Sequence, residues 1–440
     1  MRPALRPLST PAFRRLTVAR VIDELGDWLG EIALAVLVFD RTGSPMATAA
    51  LFLSLQFLPA LATPFLVARL ETLNTRFTLA ALNAAEAVIF VGLAVLSTHF
   101  SLGAVIALVA IGGALAVSGR SLSRAAAATV LAPYGLLREG NALLNIAFTA
   151  GAAAGPAVAG VVVATAGPRT ALFADAGSFA LVAGLLATAT GLPHARPDAA
   201  RWTARLRLAL RYVGVRPQLR RLIAAQATAF LFFAIVIPIE VVFAKRTLGA
   251  GDAGYGALLA SWGAGMVVGG FAFAALRRVS LRILLALSTL AIGCAYIVTG
   301  AAPTLLAACI ASAVGGAGNG IQWVGLMTAV QQLTGGDYQA RVISLLESLA
   351  KATPGLGFLI GGAVAAVFNP RVSYVVAGAG VLGVLAYSAI ALSRAGWLGE
   401  AAGPEPPAEP LLPGAAVTRL PASVALEASD TGDVRAETPR

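Results

Sequence analysis

Four carboxylates stand within nine positions of the segment VIDELGDWLGEI, and they are Asp23, Glu24, Asp27 and Glu31. The flanking stretches, LTVAR and ALAVLVF, are mostly apolar. Closely spaced carboxylates repel one another, and a low dielectric disfavours their charged forms, so such a set is suited to binding and releasing protons near neutral pH. The same groups attract cations. This segment therefore predicts proton binding and, as a second function of the same carboxylates, cation binding.

On an ideal helix these four acids and Arg20 share one face. At about 100° per residue the five charges lie within an arc of about 100°, and Arg20 falls in its middle. Three interpretations compete. The face lines a cavity and couples protons to a substrate, or Arg20 neutralises Asp23 and Glu24 in a static network, or the helix enters a membrane late.

Late entry would leave Asp23 and Glu24 at the membrane surface, but it does not account for Asp27 and Glu31. The helix from Glu31 to Asp40 is only about 12 Å long at about 1.5 Å per residue. A span needs about 30 Å. The last two acids must therefore lie inside the membrane.

The composition predicts a polytopic membrane protein. Of 440 residues, 58% are hydrophobic and only 12% are charged, against about a quarter charged in soluble domains. The net charge of +11 comes from arginines that lie between apolar runs, which favours membrane topology over nucleic-acid binding. Cys294 and Cys309 lie in apolar runs and suggest neither a disulfide nor a metal site. No phosphate-binding loop or catalytic constellation is found, so we expect no cofactor and no enzyme.

Twelve apolar runs predict an all-α fold of twelve transmembrane helices in two pseudo-symmetric six-helix bundles. The predicted spans are 14–39, 45–68, 77–97, 101–122, 141–166, 170–192, 219–243, 253–275, 281–301, 303–327, 341–367 and 371–393. With the N-terminus inside, about 22 Lys and Arg fall on the cytoplasmic side and about five outside, which predicts two cytoplasmic termini. The outer ones are Arg41, Arg169, Lys245, Arg246 and Arg371.

Five regions follow from these spans. Residues 1–13 form a cytoplasmic N-terminal segment, and residues 14–192 and 219–393 form the two bundles. Residues 193–218 are predicted to be a cytoplasmic amphipathic linker, with Trp202, Leu206, Ala209, Leu210 and Val213 on one face; a solvated basic linker is the alternative. Residues 394–440 are rich in Pro, Ala and Glu and predict a disordered cytoplasmic tail.

The two halves resemble each other weakly. GNALLNIAFTAGAAAGPAVAGVVVATAGPRT aligns with ARVISLLESLAKATPGLGFLIGGAVAAVFNPRV at an offset of about 202 residues, so that Gly155 matches Gly357 and Gly160 matches Gly362. VFDRTGSPMATAALF likewise resembles VFAKRTLGAGDAGYGALL. Two six-span halves of the same orientation imply a two-fold axis along the membrane normal. Transporters built this way bind substrate near the midplane between the halves.

Up to about residue 393 the chain resembles the major facilitator superfamily, and within it the bacterial macrolide-efflux and enterobactin-exporter-like branch. The segments that carry the resemblance are LGDWLGEIALAVLVFDRTGS, QFLPALATPF, GNALLN…GAAAGPAVAG, FADAGSFA and GAGDAGYGALLASWGAG. In helix 5, small residues at four-residue spacing allow close helix approach, and a proline can bend the span. The resemblance implies that this stretch, Gly151, Gly155, Pro156 and Gly160, is the antiporter signature of exporters; ordinary tight packing is the alternative.

The loop between helices 2 and 3 departs from the superfamily pattern. Val67 stands where a Gly is usual, Glu71 stands at the Asp position, and only Arg76 keeps the basic end. A charge latch based on Glu71 and Arg76 and a solvated loop are both open interpretations.

A few other ionisable or polar residues fall inside predicted spans, where charges usually face a wet cavity or a partner. The cavity candidates are Glu86, Glu240, Glu347, Lys351 and Asn145. Glu347 and Lys351 stand at i,i+4 spacing and could simply neutralise each other. Asp175 in helix 6 is interpreted as a structural hydrogen-bonding residue.

These observations predict a secondary active transporter, which exports a small amphipathic or cationic organic compound by alternating access and is driven by protons. Asp27 and Glu31 are the predicted proton-coupling groups, tuned by Asp23, Glu24 and Arg20. The expected partners are substrate, protons and the lipid bilayer, without nucleic acid, and we expect a monomer in the bacterial plasma (inner) membrane. A solute importer or facilitator of the same fold and a non-transporting membrane sensor are the alternatives.

Overall fold

The computed structural model describes residues 3–70, 72–192, 202–334 and 336–393. Within these residues the chain forms twelve long helices and no strand. The helices are α1 (Pro11–Thr42), α2 (45–70), α3 (Thr75–Leu96), α4 (Leu102–Leu131), α5 (137–166), α6 (168–187), α7 (Pro217–Thr247), α8 (Gly251–Ala275), α9 (Leu281–Ala301), α10 (Leu305–Leu333), α11 (336–367) and α12 (Pro370–Ser393). The predicted all-α fold of twelve transmembrane helices is confirmed.

Glycine and proline mark where successive helices meet. Helix Leu137–Ala187 breaks at Gly167, whose φ of 83° and ψ of 162° suit a residue without a Cβ. This break separates α5 from α6. The corresponding corner between α11 and α12 lies just before Pro370, so the two GPR and NPR sequences form equivalent corners.

Ten helical segments are long and apolar enough to cross a membrane. The first helix is not among them because its acids and arginines interrupt the apolar run. The fifth and sixth helices count as one segment that starts at Ala154. Length and hydropathy alone therefore miss the helix that carries the most charge.

The observed helices mostly extend the predicted spans by a few residues. The largest difference is α4, predicted at 101–122, which continues to Leu131. The apolar run ends near Arg120 and Arg124, but the alanine-rich sequence that follows keeps the helix going, because backbone hydrogen bonds do not depend on side-chain polarity.

Equivalent contacts across the two halves show the pseudo-two-fold arrangement. Gly160 of α5 packs against the backbone of Gly256 in α8. Its predicted match, Gly362 of α11, packs against Pro45 and Ala49 at the start of α2. Each pair joins one half to the other, so the aligned glycines perform the same packing role twice.

We call the end of the bundle where α1 begins the proximal end and the end where α1 finishes the distal end. One hydrophobic core draws residues from both halves and lies at the distal end, for example Val36 of α1, Phe52 of α2, Phe243 of α7 and Phe358 of α11. Two smaller cores lie at the proximal end, and each is built from one half only. The halves are therefore joined by shared apolar packing distally and have separate cores proximally.

A helix at Trp202–Gly214 follows the first bundle, as the amphipathic pattern predicts. It packs on the proximal core of the second half through Ala209, Tyr212 and Val213. Tyr212 was not on the predicted apolar face, while Leu210, which was, is exposed. Residues 193–201 and the predicted tail at 394–440 lie outside the described residues.

Candidate functional site

Arg20 pairs with the first two acids of α1. Its guanidinium lies 3.2 Å from Asp23 and 2.5 Å from Glu24, at i,i+3 and i,i+4 positions. Both carboxylates are largely buried, so the pairs are shielded from solvent. This is the contact that the static-network interpretation predicts for Arg20.

Asp27 turns away from Arg20 to a different cation. Arg120 of α4 donates to its carboxylate at 2.9 Å, and both side chains are 31% exposed. The charged face of α1 is therefore divided between two arginines from two helices. The sequence analysis missed Arg120, although a single arginine within a predicted span is itself a functional signal.

A cleft opens between α1, α3, α4 and α6 beside these pairs. It leaves about 60 Å³ for the centres of water molecules, enough for several waters, since one needs about 10–15 Å³. Its charged lining consists of Arg20, Asp23, Glu86, Arg120 and Arg124. Glu86, one of the predicted cavity residues, is only 3% exposed and lines this cleft; its role stays a prediction.

Glu31 and Glu240 lie where the first and second halves meet. Glu31 is half-buried on α1 and interacts electrostatically with Glu240 of α7. A 3₁₀ turn at Ile237–Ile239, with Pro238 inside it, interrupts α7 just before Glu240. Among the described residues, no ion pair forms with Glu240.

Glu240 lies in the same part of the second half as several buried aromatic side chains. It interacts electrostatically with Tyr255, Tyr296 and Tyr374, which come from three different helices. Trp262 stacks on Tyr296 with centroids 5.4 Å apart and an interplanar angle of 11°. A carboxylate and aromatic faces, the groups that recognise organic cations, are thus brought together.

The helix-5 motif is a packing surface used on two sides. Gly151 lies against the side chain of Glu24, and Gly155 lies against the indole of Trp28, both on α1. Gly160 meets α8 of the other half, where the carbonyl of Pro156 also approaches Gly256. The motif therefore connects the charged helix to the opposite half.

Arg76 lies in the first turn of α3 rather than in the predicted loop, and it contacts α6. Its Nε donates to the carbonyl of Ala187 at the end of α6 with a distance of 2.6 Å, a favourable place for a cation. Glu71, its predicted latch partner, lies outside the described residues, so the latch stays a prediction.

The remaining cavity candidates are less well placed. Glu347 and Lys351 belong to helix Gly336–Ala352 of α11, but their side chains lie outside the described part of the structure. Asn145 is exposed on α5. The predicted roles of these three residues stay untested.

Lys245 of α7 joins the halves at the distal end. Its ammonium lies 2.5 Å from Asp40 of α1 and 2.5 Å from Asp252 of α8. The next residue, Arg246, places its guanidinium 4.8 Å from the ring of Phe39, again on α1. A π-helical turn at Phe243–Thr247 presents both cations. The sequence analysis counted them only as outer charges.

The sequence profile of the transmembrane secretion effector family matches residues 2–405. No curated protein sequence shows significant similarity to the chain.

Solved structures show the same fold at low sequence identity. A nucleoside transporter, NupG, is 13% identical with a TM-score of 0.71, over 87% of this chain and 99% of that one. A bacterial homolog of the lysosomal transporter Spinster, inward-facing and occupied, is 15% identical with a TM-score of 0.69, over 88% and 97%.

A bacterial homologue of the iron transporter ferroportin, inward-facing, is 15% identical with a TM-score of 0.67, over 87% and 99%. Together with the profile match, these similarities establish the fold as that of the major facilitator transporters. The chain therefore belongs to the transmembrane secretion effector family of that superfamily.

Proposed function

We propose that the protein is a proton-driven exporter of a small amphipathic or cationic organic compound, in keeping with its resemblance to the macrolide-efflux and enterobactin-exporter-like branch. The observation that carries the proposal is the Asp27–Arg120 ion pair beside a cleft that has room for several water molecules. A carboxylate and a guanidinium on different helices can separate when the carboxylate binds a proton, so protonation can drive helix movement.

The arrangement of the cores supports alternating access. The halves share one core at the distal end and have separate cores at the proximal end. The arginine bias assigns the proximal end to the cytoplasm. The substrate site is thus proposed to open to the cytoplasm in this conformation, and the distal contacts must separate for release outside.

The region around Glu240 supports the cationic part of the proposal. In the first half each of Asp23, Glu24 and Asp27 has an arginine partner, whereas Glu240 has none among the described residues. Aromatic side chains lie in the same region, and Glu31 of α1 acts on it electrostatically. A protonated amine carried on an apolar body would find both its charge and its body matched there.

The proposal is tested with the protein reconstituted in vesicles, by flux of a compound identified in a thermal-shift screen of drugs, siderophores and metabolites. We expect outward-directed flux to follow an imposed proton gradient in the wild type. Asp27→Asn should lose gradient-driven flux, and Asp27→Glu should retain part of it because it keeps the acid. Unchanged proton-coupled export by Asp27→Asn would rule out the assigned role.

Two other functions are separated by simple experiments. Reversing the gradient between inside-acid and outside-acid distinguishes an importer or facilitator from an exporter. Removing residues after 394 should leave transport intact in an exporter, whereas a membrane sensor that works through its tail would lose its activity.

A further inference from the structure

Asp175 of α6 is a buried carboxyl that the proposed function leaves unused. It has no exposed surface, at 0%. Its Oδ1 accepts a hydrogen bond of 3.2 Å from Ser178 Oγ, and within the described part of the chain Oδ2 has no hydrogen-bond partner. The Ser178 hydroxyl also donates to the Asp175 carbonyl at 2.8 Å, so its one hydrogen is shared. Hydrogen bonds therefore stabilise the ionised form of this carboxyl only weakly.

The carboxyl lies in a slot formed by glycines of α1. Gly26 and Gly30 stand one helical turn apart and face it, and a methyl group at Gly26 would lie 2.6 Å from Oδ1. A methyl group at Gly30 would collide with Oδ2 and with the ring of Phe90. Two glycines thus bring the α1 backbone directly onto Asp175, which excludes water from the contact.

Among the described residues, the charged groups with the largest electrostatic effect on Asp175 are acids. They are Asp27 and Asp23 of α1 and Glu86 of α3. The nearby arginines are engaged elsewhere, Arg20 with Asp23 and Glu24, and Arg120 with Asp27. A lone carboxylate in a dry span costs several kcal/mol, so a bound proton is the simplest way to neutralise it.

We propose that Asp175 is a second proton-binding site, which holds a proton at the α1–α6 contact while the halves are joined distally. When α1 and α6 move apart, a proton from water in the cleft binds one oxygen of the Asp175 carboxylate. The proton is held while the two helices are in contact, and it returns to water when they next separate. No other group is consumed. The purpose of this site depends on the proposed proton-driven transport, but its existence does not.

The test is infrared spectroscopy of the purified full-length protein in lipid, which needs no substrate. At neutral pH the wild type should show the carbonyl band of a protonated carboxylic acid in dry surroundings. Asp175→Asn, which keeps the size and the neutrality of the group, should remove that band and leave the thermal unfolding temperature nearly unchanged. Asp252→Asn is the matched control, because Asp252 is paired with Lys245, and the band should persist.

Ser178→Ala provides a second variant in case Asp175→Asn does not fold. Because it removes the hydrogen bond to Oδ1, the band should move to higher frequency without disappearing. An unchanged band in either variant, or loss of an ionised carboxylate band in Asp175→Asn, would overturn the proposal.

Transport separates the two proposals. If Asp175→Asn still exchanges substrate across the membrane but a proton gradient no longer drives substrate accumulation, both proposals gain support. If the band belongs to Asp175 but the proton gradient does not affect wild-type transport, the proposed proton site is supported and the proposed proton-driven mechanism is ruled out.

Discussion

Lys245 of α7 lies 2.5 Å from Asp40 of α1, and this pair connects the two halves of the transporter at the distal end. The same ammonium holds Asp252 of α8. Since Lys245 is only 18% exposed and Asp40 is 45% exposed, the pair is weaker than a buried one but is partly shielded from salt. The Lys245–Asp40 pair therefore adds a charged contact to the apolar packing that joins the halves at the distal end.

Replacing Lys245 by Met should favour opening of the distal end. Only the Lys245–Asp40 pair crosses between the halves, and one partly exposed pair contributes up to about 1 kcal/mol, which corresponds to up to about a fivefold change in an equilibrium. The measurement is maleimide labelling of a Val36→Cys variant after Cys294 and Cys309 are replaced by Ala, because Val36 lies in the shared core. Labelling should accelerate by that factor.

Arg41→Met is the control for that prediction. Arg41 donates to the Ser97 carbonyl at 2.8 Å, a contact within the first half. Its loss should leave labelling of the distal core unchanged. Equal acceleration in both variants would show that loss of any distal charge speeds labelling, and that the Lys245–Asp40 pair does not specifically hold the distal end closed.

The Asp27–Arg120 pair should behave as a coupled unit in a double-mutant cycle. Arg120→Gln leaves Asp27 without its cation and should lower thermal stability by about 1–3 kcal/mol, less than a fully buried pair because both side chains are 31% exposed. Asp27→Asn should compensate for much of that loss. The stability of the purified variants in detergent measures the coupling, and strictly additive losses would contradict it.

Gly160→Ala should strain the contact between α5 and α8. A methyl group there would lie 2.7 Å from Gly256 Cα, and since both sides are backbone, the helices must shift. We expect a loss of about 1–3 kcal/mol and faster labelling of Val36→Cys.

Gly184→Ala is the matched control for this glycine. Outside the neighbouring backbone of its own helix, no atom of the described residues lies within 4 Å of the added methyl, so the helix should gain up to about 1 kcal/mol from the higher helix propensity of alanine. Equal effects of the two substitutions on stability and labelling would refute the packing argument.

Tyr212→Ala should release the linker helix from the second half. The Tyr212 ring stacks on Tyr338 with centroids 4.2 Å apart, and the Arg216 guanidinium lies 3.7 Å from its centre. Loss of these contacts should make the linker more sensitive to added protease. Leu210→Ala, at an exposed position, should leave proteolysis unchanged, and an equal increase in both variants would argue against docking through Tyr212.

Local patterns predict the helices and part of the site. Apolar runs of span length identify most of the helices, although hydropathy alone misses α1. The i,i+3 and i,i+4 spacing anticipates Arg20 pairing with Asp23 and Glu24, because such spacing is a property of one helix. The aligned glycines also anticipate equivalent contacts, since Gly160 and Gly362 retain the same role in each half.

Contacts between helices could not be derived in the same way. Arg120 and Asp27 are 93 positions apart, and no periodicity shows that α4 faces α1. Asp175 was interpreted as a hydrogen-bonding residue, which its contact with Ser178 supports, but its unpartnered oxygen depends on glycines of another helix. Lys245 and Arg246 were counted as topology signals, because their contact with α1 depends on how the halves meet.

The π-helical turn at Phe243–Thr247 lies where the two halves differ in length by one residue. Between Phe and Thr, α1 carries the two residues Asp40 and Arg41, whereas α7 carries three, with Lys245 and Arg246 among them. Two identical subunits on a two-fold axis would place like residues opposite one another, so matching acids or matching bases would repel. A single chain with two non-identical halves is free of that restriction, so Lys245 of the second half can meet Asp40 of the first with the opposite charge.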